Sequence, residues 1–380
     1  MKKRSLTFAI VLMMVLGIIP TVSAQGGDNF LTCFNLSPAD CEILMAAEAN
    51  TEANLRSFNL NISLDFSVTG LGTLSGAMPG GTSGASGDMS LHVEGGGPVV
   101  VDESGVVPPV ATQLNLVGTL TESGTTDTRP LNIVIVDGVL YAQNPLGEWR
   151  GVTFEDLLQG DAEAQAMLGG LLGGEGGELP SGAMTPGSLT GMDPEAMLES
   201  MGLGSDVIDL LRTPGFINAE RLPDEERMGQ TMYVFSLSAD SGPLFASPAF
   251  QNLLNSALME AAGSDSDMGN MAMLLPMLLS GTTITFNQTQ WIGADDQFIH
   301  ATTMDFQLTL DMNALMGAAG ANSGGSSVQM PPIVIQFHLE IGLEQLNQPF
   351  EITAPAGAVI VTMDEFNTFM ESVGSAASSK

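Results

Sequence analysis

Residues 58–68 set the first constraint. Phe58, Leu60, Ile62, Leu64, Phe66 and Val68 alternate with Asn59, Asn61, Ser63, Asp65 and Ser67. A period of two over this length is a β-strand with one apolar and one wet face. The same pattern recurs in Met89, Leu91 and Val93, in Leu114, Leu116 and Leu120, and in Leu131, Ile133 and Ile135. It returns near the end of the chain in Ile333, Ile335, Phe337, Leu339, Ile341 and Leu343. Strands over 281–293 and 297–311 flank Gly293-Ala294-Asp295-Asp296, a hairpin turn. Parallel strands are buried on both faces, so clean alternation predicts an antiparallel sheet wetted on one side.

The apolar side needs a cover, and helical text supplies one. A helix is expected near 38–54. Phe250, Leu253, Leu254, Ala257, Leu258 and Ala261 follow helical spacing, and Asp193-Pro194-Glu195 opens another helix. Further helical text lies around 154–172 and 204–212. The expected fold is α+β: a large curved antiparallel sheet, a half-barrel of about nine to eleven strands, with helices on its concave apolar face. Three stretches, 70–87, 169–191 and 317–327, are rich in Gly, Ser, Ala or Met and read as insertions. The domain plan is a leader over 1–24, a disulfide-pinned segment with the first helix over 25–55, the sheet domain over 56–362, and a C-terminal helix and tail over 363–380.

The leader reading rests on Lys2, Lys3 and Arg4, the apolar run Leu6 to Ile19, and Val22-Ser23-Ala24 ahead of Gln25. That is the layout of a secretory signal peptide. No Cys follows the apolar run directly, so export without a lipid anchor is expected: periplasmic, cell-surface or secreted. An oxidising route favours a bridge between Cys33 and Cys41, the two cysteines of the chain. One straight helix would hold their Cα atoms about 12 Å apart, too far to bond. Ser37-Pro38 resolves this as an N-cap and first helical residue, with Cys33 folding back from the preceding loop.

Charge excludes one class of partner. The chain carries 43 Asp and Glu against 10 Lys and Arg, a formal charge of −33. Phosphate affinity needs clustered cations, so a nucleic-acid partner is excluded. No enzyme signature is present: there is no G-x-S-x-G, no P-loop and no dinucleotide fingerprint. No cofactor and no metal are expected. The histidines show no ligand spacing. His92 and His338 fall on polar strand faces, and His300 shares its face with Phe298, Met304, Phe306, Leu308 and Leu310, as a core or rim histidine would.

Several segments resemble a known group. Leu131 to Tyr141, with Asp137-Gly138 and then Gly147-Glu148-Trp149, is similar to a strand, "dG-x-x-Y" and "g-x-W" piece of bacterial envelope lipid carriers. Trp291-Ile292-Gly293 with Phe298-Ile299-His300 resembles their late hairpin, and Leu343 to Pro355 their closing strand. These are the Lol-type lipoprotein carriers and the LppX/LprG-type lipoproteins. The resemblance implies a half-barrel wrapped around helices, with acyl chains held in the apolar space between.

The function expected from this is non-enzymatic binding of a lipid or other apolar small molecule between sheet and helices. The wall would be Phe58, Leu60, Ile62, Leu64, Phe66, Phe306, Leu308, Phe337 and Leu339. A lid would come from the most apolar stretch of the mature chain: Met271, Met273, Leu274, Met277 and Leu278. Methionine suits a lid because its unbranched side chain adapts to irregular partners. The alternative is a secreted structural or interaction protein with a filled core and no ligand. A transient membrane or protein partner is left open.

Overall fold

The computed structural model describes residues 33, 35–70, 87–101, 110–159, 213, 215–248, 250–251, 281–311, 313 and 331–375. Alternation along the chain becomes strands β1 (Ser57–Thr69), β2 (Met89–Val101), β3 (Val110–Glu122), β4 (Thr125–Val136), β5 (Val139–Gln143) and β6 (Trp149–Thr153). A second run holds β7 (Ile217–Arg227), β8 (Gln230–Asp240), β9 (Thr282–Gly293), β10 (Ile299–Leu310) and β11 (Ile333–Glu344), and β12 (Val359–Ile360) closes the set. Helices are α1 (Pro38–Asn54), α2 (Phe154–Gln159), α3 (Ser241–Ala246) and α4 (Met363–Ser375).

All twelve strands lie in one open, curved sheet in the order β12-β6-β5-β4-β3-β2-β1-β11-β10-β9-β8-β7. Two antiparallel meanders run outward from the centre, where β1 pairs with β11. Among the described strands only β12 lies parallel, against β6. The fold is the expected α+β half-barrel, with twelve strands among the described residues rather than about nine to eleven. The extra members include β7 and β8, which the alternation does not announce.

Register carries the apolar side across the seam. Leu60, Ile62, Leu64, Phe66 and Val68 of β1 stand opposite Leu343, Ile341, Leu339, Phe337 and Ile335 of β11. Each such cross-strand pair stabilises the sheet by roughly 0.2–1 kcal/mol. Turn chemistry agrees with the register. Asp137 and Gly138 link β4 to β5 with φ of 53° and 72°, the left-handed pair a two-residue hairpin needs.

Three clusters line the apolar face. The central one joins Phe58, Leu60, Ile62 and Leu64 to Val93, Val99, Leu114, Leu116, Leu339 and Leu343. On one flank Phe366 of α4 packs on Ile133, Ile135, Leu140 and Val152. On the other, Leu44 and Ala47 of α1 pack on Phe235, Ile292 and Ile299. Helices therefore cover both flanks of this face. The expected helices near 193 and over 204–212 lie outside the described residues, as does most of that over 250–261.

The N-terminal reading holds. Ser37 caps α1 by accepting a hydrogen bond from the Asp40 amide, with Pro38 in the first turn. Cys33 and Cys41 are disulfide-bonded, with Cα atoms 5.1 Å apart. The leader over 1–24 lies outside the described residues. No described helix is long and apolar enough to cross a membrane.

Candidate functional site

The nine wall residues fall on one face of the sheet but not in one environment. Phe58, Leu60, Ile62, Leu64 and Leu339 are between 3 and 6% exposed and belong to the central cluster. Phe66, Phe306, Leu308 and Phe337 are only half-buried. The lid residues Met271, Met273, Leu274, Met277 and Leu278 lie outside the described residues.

The half-buried residues form rows. Leu91 of β2 stands opposite Phe66, Phe66 opposite Phe337, Phe337 opposite Phe306, and Phe306 opposite Phe286 of β9. Four interstrand steps of about 4.8 Å make this a band roughly 19 Å wide. A second row runs from buried Val68 to half-buried Ile335, Leu308 and Ile284. Phe286 and Ile284 extend the wall beyond the sequence reading. The signal was there, since Thr283, Ile284, Thr285, Phe286 and Asn287 alternate like the other strands.

A charged group stands beside the apolar face. Glu48 shares the inward side of α1 with Leu44, Ala47 and Thr51. Burial pushes its carboxyl up to about 7, because the charged form is poorly solvated there. Lower on the same helix, hydrogen bonds from Ser37 and Arg221 hold the Asp40 carboxyl below its usual range. Arg221 bonds Asp40 at 3.0 Å and Asp224 at 2.8 Å, and lies 4.5 Å over the Tyr233 ring. These contacts tie α1 to the sheet flank.

The histidines behave as structural groups. His300 is 6% exposed, a core histidine. It sits in a bulge between Ile299 and Ala301, so it does not keep strict alternation with Phe306. Its Nε2 lies 2.9 Å from Asp296 and 2.9 Å from Gln230. His92 and His338 sit on the polar face, 2.7 Å from Asp65 and Asp305. Hydrogen bonding to Asp65 raises the His92 value. Among the described residues no three His, Cys, Asp or Glu side chains converge as a metal site.

No family model and no curated protein sequence matches the chain. Among solved structures it is similar to LprF from Mycobacterium bovis, at 12% identity over 84% of this chain and 99% of that one, with a TM-score of 0.31. It is also similar to the lipoprotein LppX from Mycobacterium tuberculosis, at 10% identity over 83% and 100%, with a TM-score of 0.27. A third is an outer membrane lipoprotein-sorting protein domain from Vibrio parahaemolyticus, at 8% identity over 87% and 97%, with a TM-score of 0.16.

Proposed function

We propose that this is an exported, non-enzymatic protein that binds a lipid or other apolar ligand against the inner face of its sheet. The observation that carries the reading is the half-buried band Leu91, Phe66, Phe337, Phe306 and Phe286, continuous across five strands. Apolar surface left half-wet gains about 25 cal/mol per Å² when an acyl chain covers it. The disulfide suits an oxidising compartment, and residues 1–24 read as the leader that takes the chain there. The ligand seat moves away from Phe58–Leu64, already packed, toward Phe66, Phe306, Leu308 and Phe337. Met271 to Leu278 remain the proposed lid.

That same packing favours one rival: a structural or interaction protein whose core is complete without a ligand. Native mass spectrometry of the protein purified from its own envelope or medium separates the two. A stoichiometric lipid mass, lost on organic extraction, is the expected result. A bare polypeptide that takes up nothing from a lipid mixture overturns the proposal in favour of the rival.

A further inference from the structure

The polar face of the sheet carries a trough whose polar side chains take no part in the lipid reading, although its floor passes over residues of the proposed lipid band. Two recesses compose it. One, of about 470 Å³, is lined by Asp65, Ser67, His92, Asn287, Gln307 and Gln336 among others, over Phe66, Leu91, Phe306 and Phe337. The other, of about 600 Å³, lies over Asn59, Asn61, Ser63, Glu94, Gly95–Gly97 and Asn115. They adjoin on β1 and β2, where Ser63 and Glu94 are the same-face neighbours of Asp65 and His92, and the His92 ring, 2.7 Å from Asp65 and 3.6 Å from Glu94, stands between them. From Asn59 to Ser67 the trough follows β1 for about 26 Å.

Its shape comes from missing side chains. Gly96 stands opposite Asn61, Asn61 opposite Gly342, and Gly342 opposite Ala301. Asn61 thus projects between two bare glycine positions, Gly96 and Gly342. A Cβ at Gly95, Gly96 or Gly97 would collide with main chain of the adjoining strands. The floor is bare because the backbones need it so.

Its walls are set by hydrogen bonds between planar groups. Gln336 donates to Gln307 at 3.1 Å, and Gln307 donates to Thr309 at 3.2 Å. His92 bonds Asp65 and His338 bonds Asp305, each at 2.7 Å. Such pairs hold donors and acceptors in fixed directions before any ligand arrives.

The chemistry narrows the occupant. Among the described residues no Lys or Arg lines either recess, so a phosphate or sulfate would find no counter-charge there. The lining carboxylates Asp65, Asp305 and Glu94 each face an imidazole, which reduces their pull on a basic peptide. Besides apolar Val117 at one edge and the Phe66, Leu91, Phe306 and Phe337 positions beneath, what remains is amide, hydroxyl and imidazole, and each of these can both donate and accept. A sugar hydroxyl asks for that pairing. The geometry points to a binding face for an uncharged polyhydroxyl chain, a neutral glycan. Recognition there is by hydrogen bond rather than stacking, since Trp291 at the flank already carries Arg227 4.6 Å over its ring.

Native gels cast with neutral polysaccharides (dextran, laminarin, galactomannan, arabinogalactan) test this, because a chain of charge −33 runs fast in an empty gel. Retardation by at least one polysaccharide is expected. The exposed double variants Gln307→Ala/Gln336→Ala and Asn61→Ala/Asn115→Ala should each raise the apparent Kd about tenfold. Their melting curves should stay close to that of the unaltered protein. Absence of retardation in all four gels overturns the inference. So does retardation that both folded variants retain in full, or binding of a Lys-rich peptide with none of the polysaccharides.

Discussion

Glu48 is the residue where a helix trades stability for position. Its carboxyl is raised to about 7 in the folded protein from 4.5. Ionisation therefore costs the folded state more than the unfolded one. Stability is full below about pH 4.5 and is lost as pH climbs through about 7, by at most on the order of 3 kcal/mol. Glu48→Gln should leave urea stability unchanged near pH 4 and raise it by about 1–3 kcal/mol near pH 8. A variant no more stable at pH 8 would show the carboxyl to be solvated. Glycine makes a second contrast. Gly96→Ala drives a Cβ into the Leu60 carbonyl and should cost about 2–4 kcal/mol. Gly124, in the β3–β4 turn at φ 78°, has open space around it, so Gly124→Ala should cost only about 1 kcal/mol of backbone strain. Equal losses at the two sites, measured by urea denaturation, would refute the close-approach account.

At the scale of elements, what was legible followed the physics of one wet face. β1, β11 and the β9–β10 hairpin alternate cleanly because their polar faces meet solvent, so sequence gave their limits to within two residues. β7 and β8 escaped for opposite reasons. β7 is an edge strand, and its run Glu220-Arg221-Leu222-Pro223-Asp224-Glu225 is charged, with a register shift between Leu222 and Glu225. Such charge and irregularity guard an edge against further pairing. β8 buries Met232 and Val234 on one face and Phe235 on the other, which erases a period of two. α1 was readable from its cap and its cysteines. Breaking the bridge with Cys41→Ser should lower stability by roughly 2–3 kcal/mol. Hydrogen exchange should then quicken over Pro38–Asn54 while β3 and β4 stay protected. Uniform quickening across the sheet would mean that the bridge supports the whole fold rather than this helix.

On the whole molecule, alternation revealed which side chains share the inner face, because a strand allows only two faces. It could not reveal how that face divides. The packed part, Phe58 to Leu64, owes its burial to strands and residues distant in sequence, Leu116 and Leu343 among them. The half-buried band lies a few residues further along the same strands, with the same composition. Position within the sheet separates them, and position follows from topology rather than from local pattern. The separation predicts opposite fates for one substitution. Leu64→Asp places a carboxylate where 3% of the side chain meets solvent. The cost is several kcal/mol, and the protein should fail to fold or melt far lower. Phe337→Asp puts the same charge in the half-buried band, where water can reach it. That variant should fold, with a cooperative melt, and lose the lipid mass that native spectra of the unaltered protein are expected to carry. A folded Phe337→Asp protein that keeps its full lipid complement would remove the band from the binding site. A folded Leu64→Asp protein would instead show that the packed half opens, and would return the ligand seat to Phe58–Leu64.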